Sequence, residues 1–314
     1  MNREKVKVEI VSHKYTSQWA IRDINFSINQ NGVIGLLGSN GAGKSTLMNI
    51  ICGTLNQTSG KVFINGIDLK SNPVSAKRHI GFLPQKAPLH MDLTVDEYLL
   101  HCARLRLMDK DYIPEAIKRA KQKCGIMHFS DRLIRNLSGG YQQRVGIAQA
   151  IVHNPEFVVL DEPTNGLDPN QIIEVRNLIK SIAKDRAVMV STHILSEVEV
   201  ICDYIKMIEN GDMVFEGTIK DFHNQVDNKT IYLELMQPPK LEELENIEGI
   251  VSVEKINENG EFKLVFDKTK DITQEIIKKS IHNNWGLNQI NIEKASLDQI
   301  FAMLSKKVFI NQEG

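Results

Sequence analysis

At 314 residues the chain is long enough for two domains, and its 42% hydrophobic and 25% charged content is that of an ordinary globular protein. A formal net charge of −1 supplies no global basic field and argues against a nucleic-acid partner. Nothing approaches the roughly 18-residue apolar run of a membrane span, the charged start Met1-Asn2-Arg3-Glu4-Lys5 does not read as a signal peptide, and Cys52, Cys102, Cys124 and Cys202 form no Cys-x-x-Cys pair, so reduced core thiols are expected.

In chain order, residues 6–10 and 21–28 alternate in strand fashion, and 33–37 is a short apolar run suited to a fully buried strand. Helical periodicity follows over 44–52, with Gly53 as its stop, then a strand at 61–64 turned by Asn65-Gly66. Between about 86 and 154 the pattern is mostly helical, starting from a cap-like Asp92-Leu93-Thr94 and persisting to Asn136. Strand 157–160, helix 171–183 and strand 187–191 restore an α/β rhythm, which predicts a mainly parallel sheet covered on both faces. Residues 221–228 are polar and read as a linker. Beyond them come a strand at 230–236, a helix at 240–247, a hairpin of 251–256 with 261–266 across Asn257-Glu258-Asn259-Gly260, a helix at 272–283, a strand at 287–292 and a last helix at 297–304. That β-α-β-β-α-β order predicts a ferredoxin-like unit.

Gly38-Ser39-Asn40-Gly41-Ala42-Gly43-Lys44-Ser45-Thr46 fits G-x-x-x-x-G-K-[ST] between a buried strand and a helix, the setting this Walker A pattern requires. Its glycines let backbone N–H groups wrap an oxygen-rich anion, and the helix start adds its dipole. Lys44 is placed for the β- and γ-phosphates and Ser45 for Mg²⁺. The apolar run 157–160 ends in Asp161 and Glu162, a Mg²⁺-holding carboxylate and a general base for water. Leu137-Ser138-Gly139-Gly140-Tyr141-Gln142-Gln143-Arg144 opens a helix at 142–152 and reads either as a second phosphate cradle or as an ordinary helix capped by Ser138.

That last octapeptide, upstream of Asp161-Glu162, resembles the signature sequence of the ABC ATPases. The resemblance spans about residues 4–220 and gives meaning to several others. Gln85 looks like the Q-loop glutamine that senses Mg²⁺ and the attacking water, and His193 like the switch histidine at the γ-phosphate. Asp168 looks like the D-loop aspartate, and Tyr15 like the aromatic that stacks on adenine, with Trp19 a further candidate. Tyr141 stands where glutamine is commonest and Ser39 where proline is frequent, yet neither removes a phosphate donor. The segment 295–304 resembles the closing segment of bacterial drug- and polysaccharide-efflux ATPases, and gliding-motility ATPases share the layout.

The resemblance implies an α/β P-loop NTPase domain of ABC type at 1–222, with its helical subdomain at about 86–154, and a small α+β domain at 228–306. It implies ATP and Mg²⁺ as cofactors, with catalysis by Glu162, His193, Lys44 and Gln85 and metal contacts from Ser45, Gln85 and Asp161. Ser138, Gly139, Gly140 and Gln142 would serve the nucleotide of a second copy or paralogue in a head-to-tail dimer. A separate permease would dock by coupling helices beside Gln85 and about 86–106, holding the chain peripherally at the cytoplasmic face of the plasma membrane as part of an exporter. The alternative is a soluble ATPase of protein or cofactor assembly with no permease. For 228–306 the choice lies between regulation or dimer stabilisation and a packing appendage.

Overall fold

The computed structural model describes residues 4–192, 194–225, 228–257, 260–267, 272–293 and 296–310. His193, Glu258 and Asn259 of the predicted hairpin turn, Val226 and Asp227 of the predicted linker, and Ala295 of the closing segment lie outside the described residues. The chain divides into two compact units, one built on Met1–Ile219 and the other on Lys220–Lys306.

The first unit begins with an antiparallel hairpin of β1 (Val6–Tyr15) and β2 (Gln18–Ile28). The buried strand β3 (Gly32–Leu37) then feeds the glycine-rich loop and α1 (Lys44–Ile51). Next come β4 (Ser59–Ile64), β5 (Ile67–Asp68), α2 (Pro73–Lys77) and β6 (Ile80–Leu83). Asn65 and Gly66, at φ +53° and +79°, make the β4–β5 turn with both central residues left-handed, and Ile64 pairs with Ile67 across it. The helical stretch resolves into α3 (Val95–Leu105), α4 (Ile113–Cys124) and α5 (Gly139–Ile151). The remainder alternates as β7 (Phe157–Asp161), α6 (Pro169–Ala183), β8 (Ala187–Ser191), α7 (Leu195–Ile201), β9 (Tyr204–Glu209) and β10 (Asp212–Thr218).

Two sheets result. The larger has the order β10-β9-β3-β8-β7-β6, parallel except for β10 at its edge. Beside it β2-β1-β4-β5 forms an antiparallel sheet, where sequence reasoning foresaw only the parallel one. Helix α1 buries Leu47, Met48, Ile50 and Ile51 in the core shared by both sheets, among Val8, Ile21, Phe26, Phe157 and Met189. Each such side chain contributes about 1.5–3 kcal/mol when fully buried. In the register, Leu36 and Asp161 both pair with Ser191, so the ends of β3, β8 and β7 align at the carboxyl edge of the parallel sheet. Open α/β sheets bind ligands at that edge.

Strands β9 and β10 escaped sequence reading because β9 buries charged residues. Lys206 is 4% exposed, paired with Glu216 of β10 and 4.3 Å from the centre of the Phe26 ring. The predicted linker is also in part structured: α8 (Ile219–His223) buries Phe222 completely, one apolar anchor in a polar stretch.

The second unit runs β11 (Asn228–Leu235), α9 (Leu241–Glu245), β12 (Ile250–Lys255), β13 (Glu261–Asp267), α10 (Thr273–His282), β14 (Leu287–Glu293) and α11 (Leu297–Ile310) as far as Lys306. Its sheet is wholly antiparallel in the order β12-β13-β11-β14. With β11 as first strand this is the ferredoxin-like arrangement. Ile231, Leu233 and Leu235 alternate inward with Phe262, Leu264 and Phe266, and Leu244, Ile276 and Trp285 complete that core.

Candidate nucleotide site

The loop between β3 and α1 wraps backbone around an open space because two of its glycines sit where no side chain fits. A Cβ on Gly38 would run into the Ile208 carbonyl oxygen. Gly43, at φ +108°, would place a Cβ 2.5 Å from both the Ala20 oxygen and the Ile21 Cγ2. The loop is backed by the β9–β10 turn: Gly211 N–H donates to the Ala42 oxygen at 3.1 Å, and the buried Glu209 carboxylate accepts from the Ser39 N–H at 3.2 Å and from its hydroxyl. Glu209 had no signal in the sequence beyond preceding a turn.

A cavity of about 440 Å³ opens over this loop. Its walls bring together Asn40, Gly41, Gly43, Lys44, Ser45 and Thr46 from the loop and helix start, Gln85 and Glu162 from the sheet edge, and Tyr15, Gln18, Trp19 and Ala20 from the β1–β2 hairpin. Gly38, Ser39, Ala42 and Asp161 are not part of that lining. Tyr15 is 51% exposed and meets the His13 ring edge-on at 4.7 Å, while Trp19 is 42% exposed with the Lys14 ammonium 5.4 Å from its ring centre. Two exposed aromatic side chains thus line the cavity together with the phosphate loop.

Lys44 is buried, and its ammonium donates to the Gly38 and Ser39 carbonyls at 2.9 Å each. Burial pulls its pKa down, opposed by the charges of Glu162, Asp161 and Glu209. Asp161 is pushed up, chiefly by burial and further by Glu162, against a hydrogen bond donated by the Ser191 hydroxyl and the charge of Lys44. Glu162 has a left-handed backbone at φ +46°, fixed by its N–H donating to the Ser191 hydroxyl at 3.0 Å and carbonyl at 3.2 Å. Its carboxylate accepts from the Gln85 amide at 3.0 Å and the Asn165 amide at 3.1 Å. Non-glycine residues in that region cluster at functional sites. Ser191 and Asn165 are therefore parts of the arrangement that sequence reasoning did not assign.

The signature residues do not line this cavity. Ser138 and Gly139 are exposed, and Ser138 stands at the N-cap of α5 without any side-chain capping bond. The first turns of α1 and α5 both lack a side-chain cap and an acidic residue. Helix α3, by contrast, has a capping box of Thr94 with Glu97, and α6 is capped by Asp168, which accepts from the Gln171 N–H at 2.9 Å. Two helix starts with unclaimed N–H groups are suited to anions. Gln142 instead spends its amide on the Ile134 and Leu137 carbonyls of its own chain, at 3.2 and 3.1 Å. Tyr141 packs edge-on to Phe129 at 4.6 Å, and the Arg144 guanidinium lies 5.5 Å from its ring centre.

Cys52, Cys124 and Cys202 are buried and Cys102 is half-buried, all as free thiols. Burial pushes the Cys124 thiol up to about 12.

The ABC transporter family profile matches residues 21–165, and the profile of the ATP-binding protein DrrA1-3-like C-terminal domain matches 217–305. The bacitracin transport ATP-binding protein BcrA of Bacillus licheniformis is 37% identical over 213 residues, covering 67% of this chain and 69% of the relative. The lipopolysaccharide export system ATP-binding protein LptB of Haemophilus influenzae is 34% identical over 233 residues, covering 72% and 95%. Among solved structures, CbiO1 of Clostridium perfringens, part of the ABC transporter complex CbiONQ, superposes with a TM-score of 0.64 at 28% identity, covering 70% of this chain and 90% of that one. The chain belongs to the ATP-binding subunits of ABC transporters, ATPases coupled to transport.

Proposed function

We propose that the chain works as one half of a head-to-tail dimer that closes on two MgATP molecules and powers export through a separate permease. The observation that carries this reading is that the start of α5 at the exposed Ser138 and Gly139, uncapped and free of acidic residues like the start of α1 at Lys44, lies outside the cavity that α1 lines. Within one copy, Gly38 to Thr46 hold the phosphates, Lys44 supplies the cation, and Tyr15, with Trp19 beside it, stacks on the base. Glu162 takes the proton of the attacking water while Gln85 orients it, and His193 contacts the γ-phosphate. In the other copy, the exposed Ser138 and Gly139, with the buried Gly140 behind them, present their donors to that nucleotide, with Gln142 bracing the turn and Asp168 holding the intervening loop.

The donors present fit a magnesium ion. The Ser45 hydroxyl has no hydrogen-bond partner among the described residues, and with the Gln85 amide oxygen and the buried Asp161 carboxylate it forms the hard, oxygen-only set this ion takes. When bound, the ion neutralises charge on the β- and γ-phosphates.

For the permease, a groove of about 420 Å³ beside α3 has an apolar lining that includes Val74, Phe82, Leu105 and Leu107, rimmed by Lys77, Arg78 and Arg106. That pattern suits a short amphipathic segment of the permease carrying an acidic residue. No helix among the described residues is long and apolar enough to cross a membrane, in keeping with peripheral attachment at the cytoplasmic face of the plasma membrane. Export is supported by the similarity to the lipopolysaccharide export subunit.

The test is Glu162→Gln. It should abolish hydrolysis yet form a dimer with MgATP that ADP does not support, read by light scattering. Sustained turnover in this variant would remove Glu162 from its role. Co-purification with soluble partners alone, and never with a membrane protein in detergent, would favour a soluble assembly ATPase.

A further inference from the structure

Glu197 stands outside the nucleotide cavity, yet its carboxylate joins three stretches of chain that bear on it. It is 1% exposed in α7. One oxygen accepts from the Thr164 hydroxyl at 2.8 Å and from the Thr192 hydroxyl at 3.1 Å; the other accepts from the Arg176 guanidinium at 3.1 Å. Thr164 lies in the loop that runs from Glu162 to Asp168. Thr192 follows β8 directly and precedes His193, and its hydroxyl also accepts from the Ile194 N–H at 3.0 Å. Arg176 is on α6, the helix that Asp168 caps.

Removing an ionised carboxylate from water is costly, and an apolar residue would commonly serve a core at least as well. An ion pair with Arg176 alone would also leave the two threonines unexplained. Both are buried, they come from different loops, and they share a single acceptor oxygen. Movement of either loop stretches a bond to the oxygen that holds the other.

We propose that Glu197 is a positioning residue for hydrolysis, which makes the loop after Glu162 and the strand end before His193 shift as one body when the γ-phosphate is bound or lost. This rests on the reading that Glu162 and His193 act on that phosphate. Glu197 does not line the nucleotide cavity; it acts through Thr164 and Thr192.

The test uses Thr164→Val and Thr192→Val in the full chain. Each keeps the side-chain shape, removes one hydroxyl and leaves the Glu197–Arg176 pair intact. Each should lower kcat by about tenfold to a hundredfold, the scale on which slight misplacement at a reaction centre is felt. The KM for ATP should stay within about twofold, since neither threonine lines the nucleotide cavity and ground-state binding keeps its contacts. The double variant should be no slower than the worse single, because one broken bond already frees the two loops from each other. Thr164→Ser, which retains the hydroxyl, should recover most of the rate. Unchanged kcat with a lowered Tm would reduce the cluster to a static staple and overturn the inference, as would rate losses that simply multiply in the double variant. Alanine at the same positions repeats the test should a valine variant fail to fold. Glu162→Gln runs alongside: turnover there sinks the underlying reading, whereas a dead Glu162→Gln beside fully active threonine variants sinks only the role of Glu197.

Discussion

Glu162 combines a reactive side chain with a backbone conformation that costs energy, and two substitutions separate them. At φ +46° a residue with a Cβ is disfavoured by about 1–2 kcal/mol, a cost glycine escapes. The conformation cannot relax cheaply, because the residue's N–H is held by the Ser191 hydroxyl and carbonyl. In regular structure alanine is the more stabilising residue by about 0.5–1 kcal/mol. Here the order should invert, with Glu162→Gly more stable than Glu162→Ala by about 1 kcal/mol, or roughly 2–4 °C in Tm for a unit of this size. Both lose the base and should show hydrolysis reduced by about 10²–10⁴-fold. Thermal and urea melts of the nucleotide-free variants, with phosphate release measured in parallel, decide the matter. An alanine variant as stable as the glycine variant would refute the claim that strain is stored at this position.

Three further outcomes are expected. Tyr15→Ala should raise the KM for ATP with kcat little changed, by an amount matching the about 1–3 kcal/mol of base–aromatic stacking, and Trp19→Ala should add a smaller increase; steady-state kinetics with ATP and a base-free triphosphate compare the two. Asp161→Asn should abolish Mg²⁺-dependent turnover while raising the nucleotide-free Tm. Burial lifts the folded-state pKa of Asp161, so its ionised form weighs against folding at neutral pH, and the gain from asparagine should fade as pH falls into the carboxylate range; melts from about pH 4 to 8 test that sign. Thr94→Ala, which breaks the capping box of α3, should cost about 1 kcal/mol in urea denaturation with nucleotide affinity unchanged.

What could be read from the chain followed physical distinctness. The phosphate loop was legible because Gly38 and Gly43 meet backbone that tolerates no Cβ, and such constraints are written in glycine. Strands β3, β7 and β8 were legible because burial on both faces demands continuous apolar runs. Strand β9 was not, since its buried Lys206 and Glu209 are compensated by partners on other elements, Glu216 of β10 and Ser39 of the phosphate loop. The same holds for the site. Lys44, Glu162 and Gln85 stand in recognisable local patterns, but the Ser191 hydroxyl reaches Asp161 only when the ends of two strands meet, and the Asn165 amide reaches Glu162 only because the loop after β7 turns back on itself. The second sheet was hidden because its strands alternate like any half-buried strand, and nothing local says which sheet they join.

The self-satisfied Lys44 ammonium bears on how firmly any ligand is held. Because Gly38 and Ser39 already offer it two carbonyls, an arriving phosphate does not fill a vacancy; it trades places with acceptors of the protein's own. Only the difference between the old bonds and the new ones, together with the added charge attraction, counts towards affinity. The loop is thus ready-made before the ligand comes, which speeds capture, and has a resting state to fall back to, which speeds release. A grip of this kind favours turnover over retention, as a subunit that must discard its product in every cycle requires.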